Sequence, residues 1–352
     1  MRPYIIGETA YHHEGDFNYL GRMLNDIAEI GLNAVKYHLL LKAESYLEKN
    51  HPLLAATRKA IFTPQQWDEI FARSKQLGLD IIALCDDIES IQYIKQEHPC
   101  LSGIELHATS LNDYYMLNEA AGFPNRIILG VGGSTIDEID YAVDLLRQRG
   151  KNDMLLMYGF QSYPTDYSNI NLAKMLKLQA VFDVPVGYAD HTGYDDENNV
   201  YISAMAAAMG INILEKHYTP DMGIARIDYH SAVGKKEMKK IKQLMEIYLS
   251  AYGSGRLLMS QEEMAYGSTG PMKKAIVARK KIMKGERLSL QNLWFKRTAR
   301  EAALKQKEFL NLIGLRAQRD IDEDEIIDHT KVEYQYKQPG LTDLTGGLEA
   351  GK

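Results

Sequence analysis

Residues 126–158 read RIILGVGGSTIDEIDYAVDLLRQRGKNDMLLMY. Arg126–Val131 is a short apolar run with the pattern of a strand buried on both faces. Thr135–Arg149 is a helical stretch closed by Gly150, and Met154–Tyr158 is a second apolar run. Strand, helix and strand in this order form a crossover unit, which pairs its two strands in parallel.

The same beat extends in both directions. Strands are expected at Tyr4–Gly7, Asn33–Tyr37, Ile81–Leu84, Gly103–Leu106, Val184–Gly187 and Asn212–Glu215. Helices are expected at Tyr19–Ile30, Thr63–Leu77, Ile88–Glu97, Asn112–Ala121, Ile170–Phe182, Val200–Met209 and Lys235–Tyr252. Eight strand–helix units in about 250 residues suit an α/β fold of the (β/α)8 TIM-barrel type, with a doubly wound open sheet as the competing arrangement. The barrel is expected over residues 1–253 and a linker over 254–274, where Gly253-Ser254-Gly255 and Gly267 to Pro271 break the beat. A small second domain covers 275–334, with two similar phrases, Lys281 to Glu286 and Asp320 to Glu325. Residues 335–352 read as a flexible Gly/Thr-rich tail.

Of 352 residues, 45% are hydrophobic and 25% charged, an ordinary globular composition. Lys and Arg number 41 against 47 Asp and Glu, a net charge of −6 that argues against a nucleic-acid partner held by phosphate contacts. Cys85 and Cys100 form no disulfide framework or metal motif, as expected of reduced cytoplasmic thiols. No apolar run approaches the ~20 residues of a membrane helix. The start, Met1-Arg2-Pro3-Tyr4, enters a strand without a signal peptide. A soluble, cytoplasmic protein is expected.

In a barrel of this type, functional side chains gather at the C-terminal ends of the strands. Those ends here carry Glu8, Lys36 and His38, the glycine loop Gly130 to Gly133, Gln161 to Pro164, Asp190 and His191, and Glu215 to His217. His191 and His217, at the ends of adjacent strands, can converge on one divalent ion, or each can bond a loop carbonyl. Asp190 and Glu215 read as supporting groups or as partners of Lys216. Glu8 is a candidate general base and also a candidate partner of Lys36, itself an anchor for an anionic substrate. The glycine loop, opening into a helix start at Ser134, can offer N–H groups to a phosphate, or serve as a tight turn.

These phrases resemble the sialic acid synthase family. Glu8 to Asp16 is similar to the family's Glu-Ile-Gly-x-Asn-His-Asn-Gly-Asp, and Ala34 to His38 to its Ala-Val-Lys-Phe-Gln. Ser162-Tyr163-Pro164-Thr165 also fits, and so does Leu293 to Arg297 at the family's C-terminal arginine. The most specific matches are Val186 to Thr192 (Gly-x-Ser-Asp-His-Thr) and Glu215 to Thr219 (Glu-Lys-His-Phe-Thr), with Asp228 following at the family's spacing. The resemblance implies a TIM barrel with a C-terminal SAF (antifreeze-like, β-clip) domain, assembled as a domain-swapped homodimer. It implies a transferase that condenses phosphoenolpyruvate with an N-acyl amino sugar. His191 and His217 would then hold Mn2+ or Mg2+, and Glu8 would be the base. Lys36 and Tyr163 would contact phosphoenolpyruvate, Asp190 would sit at the substrate site, and Asp228 and Arg297 would serve the sugar.

The chain also departs from the family. Gly130-Val131-Gly132-Gly133 replaces Ser-Thr-Gly-Met. Ala189 replaces a serine, Gln161 an asparagine, His38 a glutamine and His12 an asparagine, while Asn125 or Arg126 replaces a lysine. Either the phosphate pocket is rebuilt, around Arg126, His12 and His38, or phosphoenolpyruvate binds differently. Two further readings stay open: a metal-dependent aldolase acting on a keto acid, and a non-catalytic carbohydrate-binding relative.

Overall fold

Eight parallel strands close into a barrel in chain order: β1 (Tyr4–Glu8), β2 (Ala34–Leu39), β3 (Asp80–Cys85), β4 (Gly103–Leu106), β5 (Arg126–Gly130), β6 (Met154–Tyr158), β7 (Val186–Asp190) and β8 (Ile213–His217), with β1 closing on β8. This computed structural model describes residues 1–160, 162 and 165–333, so the expected tail lies outside the described residues. The chain divides into two compact units, Met1–Gly255 and a second beginning at Arg256. The open doubly wound sheet is excluded, because the β1–β8 ladder leaves no edge.

The outer layer holds α1 (Phe17–Ile30), α2 (Pro64–Gln76), α3 (Ile88–Glu97), α4 (Tyr114–Ala120), α5 (Ile136–Gln148), α6 (Ala173–Phe182), α7 (Asn199–Met205) and α8 (Lys235–Tyr252). Each sits in a predicted stretch. Two short helices after β2, Ala43–Tyr46 and Leu54–Ala60, have too few residues for a readable helical period. A third, Gln261–Tyr266, falls inside the expected linker, capped by Ser260. Strand β7 begins two residues later than expected because Pro185 has no N–H for the ladder. The N-cap of α5 is Thr135, not Ser134: its side chain accepts from Glu138 N while Glu138 Oε2 accepts from Thr135 N at 2.8 Å.

Strand period decides what faces the barrel axis. Residues i and i+2 share a face, so one face of β1 carries Tyr4, Ile6 and Glu8, and that of β2 carries Ala34, Lys36 and His38. The lower positions form an apolar floor of Ile6, Ala34, Ile82, Ile128, Leu155 and Met157. The opposite parity faces the helices and builds the main core with residues such as Leu24, Trp67, Phe71, Leu117, Val143 and Met238. The buried charged groups thus gather at the upper end of the axis, while Tyr4 OH donates to Asp80 at 2.7 Å at the lower end.

The second unit pairs β9 (Ala275–Ala278) with β10 (Leu293–Lys296) in antiparallel fashion, over a separate core including Ile276, Leu288, Leu293, Leu312, Ile321 and Val332. Its two similar phrases make the same turn. Met283 N donates to Glu286 at 3.0 Å and Asp322 N to Glu325 at 3.0 Å, with Gly285 and Asp324 both left-handed. Among the described residues no helix is long and apolar enough to cross a membrane.

The β5 loop packs backbone on backbone. A Cβ at Gly132 would lie 1.8 Å from the Gly159 carbonyl oxygen, and one at Gly159 would lie 1.9 Å from that of Ala189. Three successive strand ends are therefore held at a spacing that admits no side chain. Gly132→Ala should lower unfolding free energy by about 1–3 kcal/mol in a urea titration of the full chain, the range for an overpacked site; unchanged stability would mean the loop yields freely.

Candidate active site

The upper axis opens into a pocket of about 330 Å³ lined by Glu8, Lys36, His38, Glu105, His107, Gly130, Gly132, Gly133, Gly159, Ala189, His191, Glu215 and His217, among others. Register brings these side chains together. Glu8 stands opposite Lys36 on β2 and His217 on β8, while Glu215 stands opposite Ile6 and Ala189, one level deeper.

Lys36 is the centre of the cluster. Its Nζ lies 2.7 Å from Glu215 Oε1, 3.0 Å from Glu105 Oε2 and 3.3 Å from Glu8 Oε1, with all four side chains buried. Of these three, the Glu105 contact has hydrogen-bond geometry, and Glu215 and Glu8 complete the cluster as ion pairs. Burial works against the charged lysine, but the glutamates outweigh it and raise its pKa.

Glu8 receives two more donors, His38 Nε2 on Oε1 at 2.9 Å and His217 Nε2 on Oε2 at 3.0 Å. Burial pushes its carboxyl up, yet Lys36 and His217 prevail and hold it well below the usual carboxylate range. Glu105 and Glu215 lie on the other side of this balance. Burial raises Glu105, and the charge of Glu8 adds to that against the pull of Lys36. Glu215 is raised further by burial and by Glu8, and its Oε2 is buried with no partner among the described residues.

Both ring nitrogens of His38 face carboxylates, Glu8 at 2.9 Å and Asp86 at 3.7 Å, and Tyr11 OH donates to that same Asp86 oxygen at 2.7 Å. Burial disfavours its charge, but Asp86 and Glu8 raise its pKa to about 10. His38 is therefore an imidazolium, hydrogen-bonded to Glu8 and within ion-pair distance of Asp86.

The His191 and His217 rings meet edge to face, with centroids 5.1 Å apart. His217 Nδ1 lies 3.2 Å from Ser231 Oγ. Burial lowers His191 to about 3, so its ring is neutral, and its buried Nδ1 has no partner among the described residues. Two imidazoles beside a carboxylate, one with an unspent nitrogen, suit an open site whose other positions go to water and substrate. No cluster of three or more His, Cys, Asp or Glu among the described residues is arranged to cage a metal.

Several sequence expectations need correction. Arg126 is the first residue of β5, at the opposite end of the barrel, and its Nε pairs with Asp153 at 2.8 Å near the surface. His12 is buried and lowered to about 3 by burial, with Nδ1 bonded to the Ile227 carbonyl. Arg126 and His12 therefore do not line the pocket, whereas His38 does, paired with Glu8. Asp190 has the outward parity, and its carboxylate takes Lys216 Nζ at 2.7 Å, Tyr188 OH at 2.9 Å and Thr192 Oγ1 at 2.6 Å. It ties β7 to β8 behind the histidines instead of reaching substrate. Asp228 is not among the residues lining the pocket; it takes a left-handed φ of 63° in the loop after β8. Arg297 is exposed in the second unit, where its Nε donates to the Pro271 carbonyl at 2.7 Å. Gln161 and Tyr163 lie outside the described residues. Ala189 lines the pocket, and its methyl leaves room there.

Glu105 and His107 were missed. Their signal is parity: Gly103, Glu105 and His107 share one face of an otherwise apolar strand, and a charged residue inside a buried strand needs a partner.

The outward ion pair makes a direct prediction. Asp190→Ala would strand the buried Lys216 ammonium, and should cost about 3–5 kcal/mol of unfolding free energy, measured by denaturant titration at pH 7. A stability equal to wild type would show that Asp190 is not structural.

Comparisons with known proteins agree with this geometry. The model of the NeuB family matches residues 26–256, and that of the SAF domain matches 273–333. An N,N'-diacetyllegionaminic acid synthase of Campylobacter jejuni is 26% identical over 92% of this chain and 98% of its own. An N-acetylneuraminate-9-phosphate synthase of Drosophila melanogaster is 25% identical over 92% of this chain and 94% of its own. Among solved structures, an N-acetylneuraminic acid synthetase from Leptospira borgpetersenii in complex with citrate shares the fold, with TM-score 0.69 and 24% identity over 75% of this chain and 90% of that one. A TIM barrel with this mouth, followed by a SAF domain, places the chain in the NeuB family, enzymes that form C–C bonds by condensation.

Proposed function

We propose that this enzyme condenses phosphoenolpyruvate with the open-chain aldehyde of an N-acyl amino sugar, giving a nonulosonic acid and phosphate. The acceptor class is N-acetylmannosamine or a related bacterial sugar. The observation that carries the reading is the meeting of Glu8, Lys36, His191 and His217 within one small pocket at the catalytic end of the barrel. His191 and His217 would hold a divalent ion, Mn2+ or Mg2+, which supplies Lewis acidity toward the aldehyde oxygen.

C3 of the enol attacks the aldehyde carbon, a C–C bond forms as the C=O π bond opens, the aldehyde oxygen takes a proton to become a hydroxyl, and C2 becomes cationic. Water adds to C2 and loses a proton, and the tetrahedral centre then expels phosphate with cleavage of the C2–O bond. Glu8 enters this sequence ionised, the state a proton acceptor requires, and its three donors keep it aimed at the axis. The ionised Glu8 in the pocket wall favours cationic character at C2. On the far side, Gly130, Gly132 and Gly133 leave backbone as the pocket wall, where N–H groups can meet an anion. Asp228 and Arg297, together with the homodimer implied by the resemblance, stay part of the proposal on the acceptor side.

A second reading has one specific observation in its favour. Lys36 already faces three glutamates and the cation expected at Arg126 is at the other end of the barrel, so aldol addition of a phosphate-free keto acid needs fewer changes at the site.

Incubating the protein with Mn2+, phosphoenolpyruvate and a panel of N-acetylated aldoses should release phosphate in step with a new nonulosonic acid, detected by mass spectrometry. His191→Ala or His217→Ala should reduce turnover by at least about 1,000-fold with an unchanged circular dichroism spectrum. Product from pyruvate with no phosphate released would select the second reading.

A further inference from the structure

Lys36 is the only lysine or arginine among the described residues lining the pocket, and its ammonium is already surrounded by three glutamates. A donor's carboxylate or phosphate that pairs with it takes the place of one of them. The three are not equally held. Glu8 is fixed on both oxygens by His38 and His217. Glu215 is seated a level deeper, opposite Ile6, and makes the shortest of the three contacts with Lys36, 2.7 Å. Glu105 hydrogen-bonds to Lys36 alone among the described residues, from β4 in the pocket wall near the glycine loop.

We propose that Glu105 is the exchangeable partner of Lys36, and that binding an anionic donor is coupled to the uptake of one proton by Glu105. This rests on the reading that the pocket takes an enolpyruvyl or keto-acid donor. Glu105 is 3% exposed. Once Lys36 turns to the donor, its carboxylate would be left buried without a cation, facing Glu8 from β1, Glu215 from β8 and the incoming anion. His38 on β2 already faces Glu8 and Asp86, and His107, just past the end of β4, is kept neutral by burial and by the charge of His38. Protonation removes the charge at far lower cost than stranding it. The exchange balances: the carboxylate on Lys36 is replaced by the donor's anion, one solvent proton becomes the acid proton of Glu105, and no other bond changes. Burial and Glu8 raise the Glu105 carboxyl against the pull of Lys36, and losing that pull raises it further. The sign follows from linkage: a site that binds a proton with its ligand binds that ligand more weakly as pH rises.

Isothermal titration of the full chain with Mg2+, at pH 8 in two buffers of different ionisation enthalpy, counts the protons directly. Phosphoenolpyruvate and pyruvate, both fully ionised there, serve as separate probes. Wild type should take up close to one proton per donor bound, and its affinity should fall by about ten-fold per pH unit from 7 to 9. Glu105→Gln should take up none, keep a flat pH profile over that range and bind at least ten-fold tighter at pH 8. The proton count in wild type stands on its own even if the variant does not fold. Uptake with pyruvate but no binding of phosphoenolpyruvate would uphold the coupling and overturn the phosphate-bearing donor. Binding of either anion to wild type without proton uptake, equal uptake in Glu105→Gln, or no binding of either anion would overturn the coupling.

Discussion

One buried ammonium holds this site together. Lys36 is 1% exposed and sits within 3.3 Å of three carboxyl groups from three different strands. Unpaired, any one of them would carry a desolvation penalty of several kcal/mol; together they make a cluster whose charge state is shared. Glu8 stays ionised because His38 and His217 add to Lys36, and the proton affinity displaced from Glu8 reappears on Glu105 and Glu215. An opposing set of pKa shifts inside one hydrogen-bonded cluster is the arrangement from which acid and base roles are drawn.

The rest of the barrel holds that cluster in register. Strand period two separates an inward set, Glu215 and His217, from an outward Lys216, and Lys216 with Asp190 locks β7 to β8 behind the pocket. The opposite wall is backbone, where Gly132 and Gly159 permit strand ends to approach more closely than any Cβ allows. One side of the pocket is thus dense with charge and the other is largely backbone and apolar. A small substrate with both an anionic end and a developing cation can lie between them.

Much of this was legible in the sequence, and the reasons for the misses are physical. All eight strands and eight helices follow from apolar runs alternating with helical periods, because a parallel sheet covered by helices leaves few other patterns. Glu8, Lys36, His191 and His217 stood out because they end strands, which is where barrel chemistry collects. Arg126 was misplaced because it begins its strand instead of ending it, and Asp190 because its parity points at the helices. Glu105 shows the converse: it lies within its strand, so a survey of strand ends passes over it. That His38 already faces two carboxylates depends on Asp86, which arrives from another strand and has no signal in the local sequence.

Lys36 is the charge that makes three buried carboxyl groups tolerable. Its direct test is the unfolding free energy of Lys36→Met against wild type, measured by urea titration of the full chain across pH 5 to 8. At pH 8 the variant should be less stable by about 3–5 kcal/mol. The gap should narrow steadily toward pH 5, as the orphaned carboxyl groups take up protons and need no cation. A difference that is near zero, or that does not change with pH, would contradict the role given to Lys36.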